Sequence, residues 1–180
     1  MPVVKTGLNN VIPSTITTTA GTATFSNTTG LVSCTNVSNL SLNSVFSSAY
    51  DNYIINIHGY FSTDQYPTIR LRTVSDNTAD YWWYNTIHYG GTYTNQQVGT
   101  TAGDSGRLGY SSIYATIGQI IVGSPFLSQR TVMYVDFTGN YSNPTIHTGV
   151  ILHNNVSSFT GYTIGMSGFY GSISTYGFTK

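Results

Sequence analysis

Tyr53-Ile54-Ile55-Asn56-Ile57-His58-Gly59-Tyr60-Phe61 is the stretch that decides the fold. Tyr53, Ile55, Ile57, Gly59 and Phe61 alternate with Ile54, Asn56, His58 and Tyr60, the two-residue period of a strand with one core face and one partly wet face. The period returns at 130–138, where Met133, Val135 and Phe137 make the better core face and Val132, Tyr134 and Asp136 the other. In Ile69-Arg70-Leu71-Arg72 it sets both arginines on one outward face. Similar runs of Ile, Val, Tyr, Phe and Thr, punctuated by Gly, Asn, Asp and Pro, predict strands near 15–19, 22–26, 31–34, 53–61, 67–74, 80–88, 110–122, 130–138, 146–153, 160–166 and 170–177. No window carries the i, i+3, i+4, i+7 apolar spacing of a helix. The expected class is all-β, as a sandwich or barrel.

Composition narrows the function. Ser, Thr and Asn number 21, 28 and 15 of 180 residues, and only 7% are charged. Glu is absent, and six Asp balance six Lys and Arg. A chain of zero net charge has no basic field for collecting phosphates, so nucleic-acid binding is not expected. The 15 Tyr, 8 Phe and 2 Trp supply the apolar area that disordered chains lack. No run approaches the ~18 apolar residues of a membrane span, and the first residues lack the apolar run of a signal peptide, so neither membrane insertion nor Sec-type export is expected.

Organisation shifts along the chain. Residues 1–49 contain no Tyr or Trp and one Lys as their only charge, whereas 50–180 hold every Tyr and Trp. The reading is an extended N-terminal arm over 1–20, a linker with the first strands over 21–49 and a β-sandwich domain over 50–180. An arm with so little apolar area needs the domain or a partner to order it. Its apolar side chains, Val3, Val4, Leu8, Val11, Ile12 and Ile16, are the candidate contacts to that partner.

Catalytic patterns are missing. There is no G-x-S-x-G, no phosphate loop and no Glu for a carboxylate pair. Asp76 and Asp80 read as a polar turn, because the glycine and terminal Glu of a calcium loop are lacking. His58, His88, His147 and His153 form no zinc motif. His147 and His153 share a strand face unless Gly149 breaks or bulges the strand. Cys34 reads as a small buried side chain. No catalytic residue, metal or cofactor is expected. In the dense Tyr81-Trp82-Trp83-Tyr84 stretch, Tyr81, Trp83 and Ile87 are assigned to the core. Trp82 and Tyr84, with Tyr89 beyond, form a candidate platform for a neighbouring subunit or a sugar ring.

Several motifs then fall in a familiar order. They are Val45-Phe46-Ser47-Ser48-Ala49-Tyr50-Asp51-Asn52-Tyr53-Ile54-Ile55-Asn56-Ile57, Arg70-Leu71-Arg72, Tyr81 to Tyr84, and Ser124-Pro125-Phe126 ahead of Arg130-Thr131. Ser158-Phe159-Thr160-Gly161-Tyr162 and the closing Gly171-Ser172-Ile173-Ser174-Thr175-Tyr176-Gly177 complete the set. Over residues 45–177 the chain resembles the β-sandwich domain of tailed-bacteriophage virion structural proteins, which include capsid-decoration and tail-fibre proteins. The resemblance implies a jelly-roll-like antiparallel sandwich, assembly from identical copies and no catalysis. It implies corner roles for Tyr50 and Asp51 and tight-turn roles for Gly161 and Gly177. The short segment ahead of the domain suits a protein seated directly on a shell better than a fibre tip on a shaft. The expectation is an oligomeric decoration, or cement, protein, a trimer on the capsid surface, held to the major capsid protein by its arm. The alternative is a tail-fibre or receptor-binding protein that recognises a host surface glycan.

Overall fold

The computed structural model describes residues 7–73, 75–76, 81–89, 92–103, 105–111, 113, 115–140 and 144–178. It is all-β, two antiparallel sheets packed as a sandwich, with no helix among the described residues. The strands are β1 (Asn9–Asn10), β2 (Thr15–Thr17), β3 (Ala20–Phe25), β4 (Val32–Ser38), β5 (Leu40–Asn43), β6 (Asn52–Phe61), β7 (Thr68–Arg72) and β8 (Tyr81–Tyr89). They continue as β9 (Thr92–Gly103), β10 (Gly106–Arg107), β11 (Thr116–Gly123), β12 (Gln129–Asn140), β13 (Pro144–Ser157), β14 (Gly161–Gly165) and β15 (Phe169–Phe178). The large sheet has the order β3-β4-β15-β6-β11-β12-β13-β8-β9, with β1 also on β15, and the small sheet the order β10-β7-β14-β5-β2.

The alternation read from sequence sets which side chains enter the core. Tyr53, Ile55, Ile57 and Phe61 of β6 are buried, as are Met133, Val135 and Phe137 of β12 and Ile69 and Leu71 of β7. Two tyrosines tie the sheets together across this apolar layer. Tyr81 of β8 accepts the Leu71 amide of β7 at 2.6 Å, and the Tyr162 hydroxyl of β14 lies 2.7 Å from Thr175 Oγ1 of β15. Burial raises the pKa of both phenols, which therefore stay neutral and available as hydrogen-bonding groups. Tyr81→Phe leaves the Leu71 N–H buried without that acceptor, so we expect a loss of about 1–3 kcal/mol. Urea denaturation checks this, and an unchanged midpoint would remove the tie from the account.

The N-terminal segment differs from the expected arm. Asn9 and Asn10 pair with Gly177 and Tyr176, the Val11 amide donates to Thr175 O at 2.9 Å, and Thr15–Thr17 pair with Ser41–Asn43. Val11 is buried in the core and Ile16 packs against it. An apolar cluster of described residues runs from Val11 to Ile173, through Val32, Leu40, Leu42 and Phe46, without a break at 45–50. The physical reason is that these edge strands take their order from hydrogen bonds to distant strands rather than from apolar area of their own.

β13 runs unbroken through Gly149, which pairs with Asn85 and Val135, so His147 and His153 share a strand face. Two local readings are corrected. Gly161 opens β14, paired with Arg72, and Gly177 lies within β15, paired with Tyr53, in place of tight turns. A Cβ on Gly161 would meet Leu42 O at 2.2 Å, and one on Gly177 would meet the Tyr50 ring at 2.3 Å. Their lack of a side chain permits close approach. The strand expected over 110–122 begins only at Thr116. At the corner before β6, Tyr53 is the hydroxyl that fastens the chain, accepting the Ser47 amide at 2.7 Å and donating to Ser47 O at 2.9 Å. Tyr50 packs edge-on against it, and Asp51 O accepts the Ser124 amide.

Candidate functional site

The register of the large sheet assembles a surface that no single strand reveals. On its outer face, Tyr176, Ile54, Ile121, Tyr134, Val150 and Tyr84 are consecutive cross-strand partners from β15 through β6, β11, β12 and β13 to β8. The adjacent row runs Gly123, Val132, Leu152 and Trp82. Tyr134 is 58% exposed and Trp82 47%, and Ile121, Val150 and Tyr84 are also exposed. Five strand spacings of ~4.8 Å and two rows of side chains make a band about 24 Å by 14 Å. That is roughly 300 Å² in projection, the size of patch that on a monomer is often functional.

A polar row borders the band: Ser174, Asn56, Gln119, Asp136, Thr148 and Thr86. Gln119 Nε2 donates to Asn56 Oδ1 at 3.1 Å within it. Beyond it Ile117 and Ile146 stand exposed between His58, Thr138 and His88. Among the described residues of these four rows, Asp136 is the only Asp, Lys or Arg. A face of this kind can exclude water against a second surface at little charge-desolvation cost.

Trp82 and Tyr84 lie on this face, as the sequence suggested. Tyr89 pairs with Thr145 and falls at the alternate strand parity; its side chain lies outside the described residues. The sequence reading missed Ile54, Ile121, Tyr134 and Val150. Their signal was an apolar residue at the outward parity of each strand, which acquires meaning only once register aligns the strands. Of the six arm residues, Val3 and Val4 lie outside the described residues, Val11 and Ile16 are turned into the sandwich, and Leu8 and Ile12 remain 60% and 41% exposed.

The other flagged groups have structural surroundings. Cys34 is buried, and that burial pushes its thiol up to about 12, leaving it protonated and unreactive. Asp80 lies outside the described residues. Asp76 closes a tight turn against Arg72 and accepts a hydrogen bond from Thr163 Oγ1 at 2.6 Å. His153 is packed edge-on between Tyr81 and Phe159. His147 is buried and accepts the Tyr110 amide at its Nε2, 3.1 Å away. Burial, with Arg107 and His88 nearby, lowers its pKa from 6.5 to about 4.

His147 makes stability depend on pH. The unfolded chain binds a proton at this site near pH 6.5 and the folded chain only near 4. The neutral form therefore contributes stability that is fully present above pH 6.5, lost as pH falls toward 4 and constant below that. Protonation also removes the acceptor for the Tyr110 amide. His147→Gln, which retains a neutral acceptor, should shallow the fall of the urea midpoint between pH 6.5 and 4. Parallel curves for the two proteins would show that His147 does not cause it.

Compared with known protein families and with curated protein sequences, the chain matches none.

Proposed function

We propose that the chain is a non-enzymatic structural subunit of a tailed-phage virion, a capsid decoration protein with a jelly-roll-like sandwich, which assembles with copies of itself through the outer face of its large sheet. The observation that carries this reading is the apolar band spanning six strands around Tyr134, beside a single carboxylate. Taken with its two flanking rows, the face measures about 24 Å by 27 Å, roughly 650 Å² in projection. That approaches the ~800 Å² that each partner contributes to a standard interface. The resemblance over residues 45–177 supplies the virion setting and assembly from identical copies, and the many aromatics and few charges of the chain the expectation of a trimer.

Contact with the major capsid protein is assigned to the N-terminal end, where Leu8 and Ile12 keep exposed apolar surface. Avidity across an oligomer then compensates for weak single contacts. The exposed Trp82 and Tyr84 favour the second reading, a receptor-binding protein of the tail that recognises a host surface glycan. Quantitative mass spectrometry of purified virions separates the two. Hundreds of copies per particle place the chain on the shell and a few to tens place it on the tail. Absence from particles would overturn both.

A further inference from the structure

The outer face of the small sheet carries a different kind of surface, a polar groove of about 530 Å³. Its floor is one cross-strand row, Arg70, Thr163, Ser41 and Thr17, contributed by β7, β14, β5 and β2. Thr18, Thr19, Asn39, Gln65 and Tyr66 also line it. Gly165 also lines the groove; a Cβ there would stand 2.4 Å from Thr68 Oγ1.

The floor is held rigidly. Ser41 and Thr163 are buried with their hydroxyl oxygens 2.8 Å apart. Arg72 Nη1 donates to both, at 3.1 and 3.0 Å, and to Asp76 Oδ1, while Thr163 also donates to Oδ1. Asp76 thus has one oxygen engaged twice and its other oxygen facing Arg70 Nη1 at 3.9 Å, beyond hydrogen-bonding length. A hydroxyl seated between those two atoms would donate to the carboxylate and accept from the guanidinium. The Tyr66 ring at the groove's side is itself fixed, with the Arg107 guanidinium 4.3 Å from its centroid and Tyr110 edge-on at 5.0 Å.

We infer that this groove binds a neutral saccharide. A sugar ring presents adjacent hydroxyls that both donate and accept, together with an apolar face that packs on an aromatic ring. The groove supplies hydroxyls and amides of both polarities, one acid with the Arg70 and Arg72 guanidiniums beside it, and a fixed tyrosine. Its volume lies in the range of small-molecule sites, roughly 300–1,000 Å³. The Asp76 oxygen that faces Arg70 requires a hydrogen-bond donor from its ligand, which a sugar hydroxyl supplies and the oxygens of an anion do not. This inference concerns the opposite face from the proposed assembly surface and stands or falls separately from it.

The test is binding of the full chain to an array of immobilised neutral and acidic glycans, with hits followed by calorimetric titration of the free neutral oligosaccharide. Binding to a neutral glycan is expected, weakened tenfold or more by Arg70→Gln and by Tyr66→Ala, and unchanged by Trp82→Ala with Tyr84→Ala. Circular dichroism of each variant confirms folding. Any of three results would overturn the inference: no neutral glycan bound, preference for acidic glycans, or binding abolished by the Trp82 and Tyr84 pair but untouched by Arg70→Gln.

Discussion

Under the proposed assembly, replacing Tyr134 and Val150 together by aspartate should leave a folded monomer. The two residues are direct cross-strand partners at the middle of the apolar band, flanked by Ile121 on one side and Tyr84 on the other. In the isolated chain both are exposed, so the substitutions change surface positions, where effects on folding stability usually stay within about 0.5 kcal/mol. Aspartate's poor fit in strands adds up to roughly 1 kcal/mol. At an interface each new carboxylate would be stripped of water with no Lys or Arg among the described residues of the four rows to meet it, a cost of several kcal/mol per ion. The large effect therefore falls on assembly rather than on folding. Size-exclusion chromatography with circular dichroism reads both, and Leu127→Asp, in the exposed turn between β11 and β12, serves as the control that should leave assembly intact. A double variant that elutes with the wild-type protein would place the interface elsewhere.

Gly149→Ala should have a large effect on the fold itself. A Cβ at this position would lie 1.9 Å from Asn85 Oδ1 and 2.5 Å from the Tyr84 carbonyl oxygen, both on the neighbouring strand β8. Asn85 is buried and donates from Nδ2 to Arg107 O at 3.1 Å, so its amide has little freedom to turn aside. Relief requires β13 and β8 to separate locally, breaking pairing on both sides. We expect a loss near 3 kcal/mol or more, the upper range for overpacking, and a fall in Tm of about 6–12 °C for a domain of this size. Gly123→Ala is the matched control, since its nearest neighbour, Val132 O, is 3.4 Å away, an ordinary contact. Equal melting temperatures for the two variants would contradict the close approach.

The strands most legible in sequence were those whose two faces differ in polarity. β6, β7 and β12 announce themselves because Ile55, Leu71 and Val135 alternate with residues that tolerate water. β9, rich in Thr, Gln and Gly, gave no such contrast, and β5 is too short for a period to emerge although Leu40, Ser41 and Leu42 are all buried. Strands near 15–19 and 22–26 were legible, but residues 1–20 were read as an extended arm for a related reason. Their partners lie far along the chain, Asn9 with Gly177 and Thr15 with Asn43, and nothing in residues 7–25 reports that pairing.

The surface was less legible than the core. Trp82 and Tyr84 stood out as an aromatic pair, but Ile54, Ile121, Tyr134 and Val150 are single outward residues on four strands. Their alignment into one row is a product of register, and a slip of one residue in any strand would replace its apolar member by a core-side neighbour. The groove on the opposite face depends on the same alignment. Arg70, Thr163 and Ser41 come from widely separated parts of the chain.

Light scattering of the unmodified full chain across a dilution series in the micromolar range tests the central claim most directly. Assembly through the large-sheet face predicts a species of three times the 19.5 kDa chain mass that persists on dilution. A constant mass of one chain at every concentration would contradict it.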